Sequence, residues 1–287
     1  MVVGFKAFDK GLVCRGFQFE EGKTYEHKGD FIPCNSGFHF CENPLDVLNY
    51  YDLCNSEFAI VEAVGEVKKE DNKSVTNKLK IGIKLNLPRF IKASIEYVSE
   101  CCKQEQNTDN NKKKSQLSSS GDSAKLASSG EYAKLASSGE YAQLASSGDS
   151  AKLASSGDSA KLASSGEYAK LASSGYSAKL ASIGEYAQLA SSGDSAKLAS
   201  SGDYAKLASS GEYAQLAVDG KYSVVAGIGI NNKIKGITGT WITLAEWEYD
   251  NSINKQVPLC VKSSQIDGEI LKENIYYKLE NGEFVEV

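Results

Sequence analysis

Cys34, His39 and Cys41 bring three soft ligands into eight residues, with Cys14 and Cys54 nearby in sequence. Thiolate and imidazole are the side chains that hold zinc. The Cys-x4-His-x-Cys spacing matches no standard finger, and a strand sends His39 and Cys41 to one face only through alternation. They are read as buried structural side chains, and neither a metal nor any other cofactor is expected. The remaining chemistry is thin. No P-loop, no Gly-x-Gly-x-x-Gly between a strand and a helix, and no Ser/His/Asp set is visible. The glycine-rich stretch 227–236 (GIGINNKIKG) belongs instead to the end of a repeat array.

That array places carboxylates and tyrosines with a regularity that motifs lack. Glycine recurs every nine residues from Gly121 to Gly229, and leucine from Leu117 to Leu216, around the unit Gly-[Asp/Glu]-[Ser/Tyr]-Ala-[Lys/Gln]-Leu-Ala-Ser-Ser. A fixed short period signals a stacked array. A helix is disfavoured: each glycine costs about 1 kcal/mol relative to alanine, and a nine-residue period rotates the leucine stripe around the axis. As a strand, the unit puts Ala and Leu on one face and Tyr and Lys on the other. Ser-Ser-Gly-Asp/Glu then supplies a turn in which glycine is expected at positive φ. Alanine and lysine are poor strand formers, but stacking overrides that preference. Ordering nine residues costs roughly 9–18 kcal/mol while one buried Leu returns ~1.5–3, so rungs must stack cooperatively and the ends need caps.

Sorting the Tyr/Ser position by eighteen gives Tyr132, Ser150, Tyr168, Tyr186, Tyr204 and Tyr222 on one side, against Ser123, Tyr141, Ser159, Ser177, Ser195 and Tyr213 on the other. Five tyrosines of six against two of six indicates two repeats per coil. Twelve Leu-centred repeats then make about six coils and a rod of roughly 29 Å at ~4.8 Å per rung. The fold class is mainly β, a two-sheet β-solenoid, and its narrow core explains why no Phe, Trp or Pro interrupts residues 117–216. Tyr176 and Ile183 depart from the unit as solvent-face variation.

The rod surface is where function is sought. The tyrosine side carries Tyr132, Tyr168, Tyr186, Tyr204 and Tyr222, flanked by Glu131, Asp149, Glu167, Glu185 and Asp203. An acidic ladder can imitate a nucleic-acid backbone; equally, ten acids against eight lysines leave the array at only -2, which suits a solvated face. The tyrosines can stack on a partner or brace one another from rung to rung.

Four parts are expected: an α+β domain over residues 1–102, a polar linker over 103–116, the solenoid over 117–236 and a β-rich cap over 237–287. The first contains short strands at 2–8, 16–19, 38–40, 58–67 and 80–87. It also carries a Pro-initiated helix after Asn43 and a second helix from Pro88 to about Cys102. The cap holds strands at 240–247 and 257–262 and a hairpin around Asn281-Gly282. Trp241 and Trp247 are expected to plug the solenoid's open end. A net charge of -5 argues against direct nucleic-acid binding. No run of 18 apolar residues suggests a membrane span. Seven cysteines without a secretory-type start fit a reducing cytosol, so a cytoplasmic location is expected.

Several motifs are more specific. Lys6-Ala7-Phe8-Asp9, Cys14-Arg15-Gly16-Phe17-Gln18-Phe19, Gly22-Lys23-Thr24-Tyr25 and Cys34-Asn35-Ser36-Gly37-Phe38-His39-Phe40-Cys41-Glu42-Asn43-Pro44-Leu45 are joined to Ala/Ser/Gly repeats and a late WITLAEW strand at 241–247. Together they resemble an uncharacterised family of bacterial and prophage proteins. The resemblance implies a mobile-element context and brings no activity with it. By analogy with small phage proteins of repetitive surface, it implies an inhibitor of host defence. The order Arg15-Gly16, Gly37–Phe40, Tyr50/Tyr51, Glu62 also distantly resembles the core of ADP-ribosyltransferases, without their Ser-Thr-Ser stretch. The expectation is therefore a non-enzymatic interaction protein whose partner is a host nucleic-acid-binding or defence protein. An ADP-ribosyltransferase-like enzyme and a structural spacer are the alternatives. Self-association into a symmetric dimer is a further expectation.

Overall fold

A four-residue strand buries too little to stand alone, so each rung of this rod is ordered by the rungs beside it. The computed structural model describes residues 1–33, 35–105 and 114–287. Fourteen strands, from Gln116–Ser119 to Lys233–Lys235, alternate between two parallel sheets. Pairing joins residues eighteen apart, Leu135 with Leu153 and Leu144 with Leu162, so two nonapeptides make one turn. About seven turns result, one more than the leucine count predicts. Val225 and Ile234 extend the leucine position into two further strands. Alternation sends the first Ala and the Leu of each repeat inward; Ala151, Leu153, Ala160 and Leu162 are buried in one continuous core.

The glycines work differently from the sequence expectation. None of the repeat glycines has positive φ; the Tyr/Ser position does, from Ser123 at 57° to Tyr222 at 57°. The left-handed region costs an L-residue roughly 1–2 kcal/mol. A rung-to-rung hydrogen bond offsets it, as where Tyr168 N donates to Glu185 O at 2.9 Å. Glycine is needed two residues earlier for proximity. A Cβ on Gly175 would sit 2.0 Å from the carbonyl oxygen of Gly157 on the rung before. The inward serine closes the same corner, with Gly175 N donating to Ser173 Oγ at 3.3 Å.

The C-terminal segment continues both sheets. Trp241–Asp250 pairs in parallel with Val224–Gly227, and Lys255–Gln265 follows antiparallel. Tyr277–Glu280 and Glu283–Glu286 add a hairpin to the other sheet, turning through Asn281 and Gly282, both at positive φ. The tryptophans do not plug the core. Registering Ile242 on Val225 turns Ile242 and Leu244 inward and Trp241 out, where it is half exposed. Trp247 donates from Nε1 to Ile228 O at 3.0 Å. Ile242, Leu244, Leu271 and Tyr277 close the end instead.

Residues 1–97 form a separate unit. A four-stranded antiparallel sheet orders Val2–Phe8, Glu57–Ala63, Lys78–Leu85 and Thr24–Glu26. A smaller sheet joins Phe38–Phe40, Lys73–Thr76 and Val67–Glu70. Asn43 caps a 3-10 helix, Pro44–Asn49, accepting from Leu45 N at 3.1 Å. The sequence expectation of a helix from Pro88 is met by Leu87–Glu105, whose Phe90 stacks on Phe58 at 4.0 Å. Of the expected linker, residues 106–113 lie outside the described residues. Among those described, no helix is long and apolar enough to cross a membrane.

Candidate functional site

The two sheets of the rod differ on their outer faces. In one, the outward Ala145, Ala163 and Ala199 are at most 1% exposed. In the other, the equivalent Ala136, Ala154, Ala172 and Ala190 are exposed, with Lys134, Lys152 and Lys170 beside them. This uncovered face carries a groove of about 870 Å³ floored by stacked alanines and serines from Ser118 to Ile228.

Every tyrosine and acid singled out in the sequence lies on the corner that leads into the uncovered sheet, because the eighteen-residue turn puts one repeat of every two there. Tyr168, Tyr186, Tyr204 and Tyr222 form a stack with ring centroids 4.9, 4.9 and 5.1 Å apart. Ser150 separates Tyr132 from it in the column. Inner ring faces are therefore spent on each other, and edges and hydroxyls face outward. Burial among its neighbours, then the nearby Tyr168, Tyr204, Glu185 and Glu167, raises the Tyr186 hydroxyl above the ordinary tyrosine range. It remains a donor.

The acids divide by length. Asp149 Oδ1 accepts from Glu167 N at 2.9 Å and Asp203 Oδ1 from Lys221 N at 2.8 Å, each bridging to the next rung. Asp122, Asp158 and Asp194 do the same on the opposite corner. Aspartate thus ties rungs together, a role that the choice of Asp over Glu signals in the sequence. Glu131, Glu167 and Glu185 fill the acidic position at other rungs of the tyrosine corner.

The N-terminal unit holds a second site, a cavity of about 410 Å³. Strand Val2–Phe8, the Val13–Cys14/Phe17–Gln18 hairpin, strand Phe38–Phe40 and the residues after the 3-10 helix supply its walls. Arg15 and Gly16 are the two hairpin turn residues, at φ 51° and 76°. Such a turn favours Asn-Gly, so arginine accepts left-handed strain there. Lys6 is buried within an otherwise apolar strand; its Nζ donates to His39 O at 3.2 Å. Burial holds its ammonium below the usual lysine range, against the opposing pull of the hydrogen-bonded Cys14 sulfur, and Lys73 lowers it further. Cys14 Sγ lies 3.3 Å from Tyr51 Oη. Burial, then the charges of Lys73, Lys6 and Arg15, pull His39 down to about 4, and its Nε2 is buried without a hydrogen-bond partner.

Of the candidate metal ligands, His39 and Cys41 both line this cavity, and Cys34 lies outside the described residues. Among the described residues no three His, Cys, Asp or Glu side chains converge on a metal position. Arg15, Gly37, Phe38, His39, Tyr50 and Tyr51, from the transferase-like order, also line it. Glu62 is not among the lining residues; it pairs with Lys80 at 3.2 Å. Sequence reasoning grouped Cys14 with His39 and Cys41 but missed Lys6 and Lys73 as partners in the same site. The available signal was a lone lysine in the apolar run 2–8.

A family model described as Domain of unknown function (DUF7666) matches residues 2–93, the segment that builds this cavity. Searches of curated proteins and of solved structures returned no match.

Proposed function

We propose that the chain is a non-enzymatic interaction protein that binds a macromolecular partner through the uncovered face of its rod. One observation carries this: acid, tyrosine, lysine and alanine/serine columns lie side by side there over successive rungs, broken at Ser150 in the tyrosine column and Gln188 in the lysine column, while the opposite outward alanines are buried. A ladder at ~4.8 Å per rung offers the same contact many times, so weak single contacts add along the rod. Rigid tyrosines provide contact area at low entropic cost. Carboxylates at Glu131, Glu167 and Glu185 favour a partner with a basic surface, as nucleic-acid-handling proteins have. In the phage-like setting that the sequence resembles, this partner is a host defence protein in the cytoplasm. The lysine column beside the acids makes charge a contributor rather than a full imitation of nucleic acid. The transferase-like alternative gains a cavity but lacks its acid, since Glu62 lies elsewhere.

The test is affinity capture from bacterial lysate with three forms of the full chain. One is unaltered, one carries Tyr168→Ser, Tyr186→Ser and Tyr204→Ser, and one carries Glu131→Lys, Glu167→Lys and Glu185→Lys. Serine stands naturally at residue 150 of the tyrosine column, so the second form keeps the fold. A salt-sensitive partner held by the first form and lost from both variants is expected. The same partner on all three forms would defeat the proposal, and recovery of no partner would leave the spacer role.

A further inference from the structure

The cavity in the N-terminal unit gathers cationic side chains on one wall. Lys6, Arg15 and Lys73 surround His39, and Lys28 and His27 stand at the same lining. The sole carboxylate among the described lining residues, Glu26, is exposed and paired with Lys78 at 3.1 Å. Positive charge so concentrated in a chain of net charge -5 is costly without a counter-ion, and a buried ammonium costs several kcal/mol unless compensated. Lys6 donates to a carbonyl, lies by the Cys14 thiol and sits 5.3 Å from the Phe8 ring centroid, with no carboxylate among these contacts, and Lys73 reaches the ring of Tyr50 at 4.4 Å. His39 Nε2 is buried with nothing to bond. Arg15 occupies a strained turn position where asparagine costs less, which a structural role alone does not require.

The other wall is aromatic. Phe17 meets Phe19 at 4.8 Å and Tyr25 at 5.5 Å, edge to face, and Phe19 meets Phe38 at 6.1 Å. Phe17 is half exposed, a large apolar ring left at the cavity. The volume falls within the range of small-molecule sites.

We propose that this cavity binds a nucleotide-type ligand, a planar ring carrying a phosphate ester. Lys6, Arg15, Lys73 and His39 hold the phosphate, and the Phe17/Tyr25/Phe38 wall takes the ring. A phosphate offers three terminal oxygens, which suits three cations and one ring nitrogen better than a carboxylate's two. A nucleobase supplies the planar face that edge-to-face aromatics accept.

Calorimetric titration of the full chain with adenosine 5′-monophosphate, adenosine and inorganic phosphate tests this. Saturable binding of the monophosphate is expected, at least tenfold tighter than adenosine and tenfold tighter than inorganic phosphate. Arg15→Asn relieves the turn, so it should unfold no more easily than the parent while binding the monophosphate at least tenfold more weakly. Lys73→Gln should weaken binding similarly. Adenosine binding as tightly as its monophosphate would overturn the anionic half of the proposal, and inorganic phosphate binding as tightly would overturn the ring half. Absence of binding by the monophosphate, or unchanged binding by Arg15→Asn and Lys73→Gln, would overturn it altogether. None of these outcomes depends on the rod's partner.

Discussion

Gly175→Ala is the sharpest perturbation of the rod. Its Cβ would lie 2.0 Å from Gly157 O and 2.5 Å from the same carbonyl carbon. A tolerable carbon–oxygen contact is about 3.3 Å, so this corner must open by roughly 1.3 Å. Two rung-to-rung bonds cross there, Tyr176 N to Asp158 Oδ1 and Ser159 N to Tyr176 O, both at 2.7 Å. Opening takes each to about 4 Å, beyond hydrogen-bond range. One neutral bond and one to a carboxylate are together worth about 2–4 kcal/mol. Gly121→Ala is the control: at the first rung, its nearest atom is Ser119 Oγ at 3.7 Å, and alanine there is neutral or slightly favourable. Thermal unfolding followed by far-ultraviolet circular dichroism should fall by roughly 5–15 °C for Gly175→Ala and hold within about 2 °C for Gly121→Ala. Equal effects would refute the close-stacking explanation of the glycine repeat.

Three other outcomes follow from the same geometry. Ser177→Asn, placing a residue tolerant of left-handed φ where Asn231 already stands in the last repeat, should raise stability by about 0.5 kcal/mol in urea unfolding. Asp158→Ala should cost about 1–2 kcal/mol by losing the Tyr176 N contact, whereas Asp158→Asn, keeping an acceptor oxygen, should cost far less. His39 sits at about 4 when folded and near 6.5 when unfolded, so the unfolded chain binds the extra proton between those values. The stability from neutral His39 is complete above pH 6.5 and is lost progressively as pH falls toward 4. Unfolding of the N-terminal unit should show that slope, and His39→Gln should flatten it.

The rod was readable because its constraint is one-dimensional. Leu every ninth residue fixed the inward face, and the segregation of tyrosine at eighteen fixed the turn. What the spacing hid was the division of labour within the corner. Glycine looked like the left-handed residue by habit of type, yet close approach to the preceding rung claims it, and Tyr or Ser accepts the strained φ. Trp241 looked like a plug by size, but a one-residue register decides which side faces the core, and composition carries no register. The cavity was half visible. Arg15, His39 and Tyr51 were noticed, but Lys73 reaches them only through the pairing of Phe38–Phe40 with Lys73–Thr76. Lys6 was hidden among the apolar residues that surround it.

The eighteen-residue turn underlies the concentration of tyrosines on one edge, five of six positions against two of six, and disulfide trapping tests it directly. Tyr168→Cys with Tyr186→Cys puts two thiols on adjacent rungs, where the present rings lie 4.9 Å apart. Backbone separation of ~4.8 Å between paired strands falls within disulfide range. Tyr168→Cys with Ser177→Cys puts them on opposite corners, separated by a whole strand. After mild oxidation and peptide mass spectrometry, the first pair should be linked and the second should not. Linkage of the second pair in place of the first would contradict the arrangement on which the proposed docking edge rests.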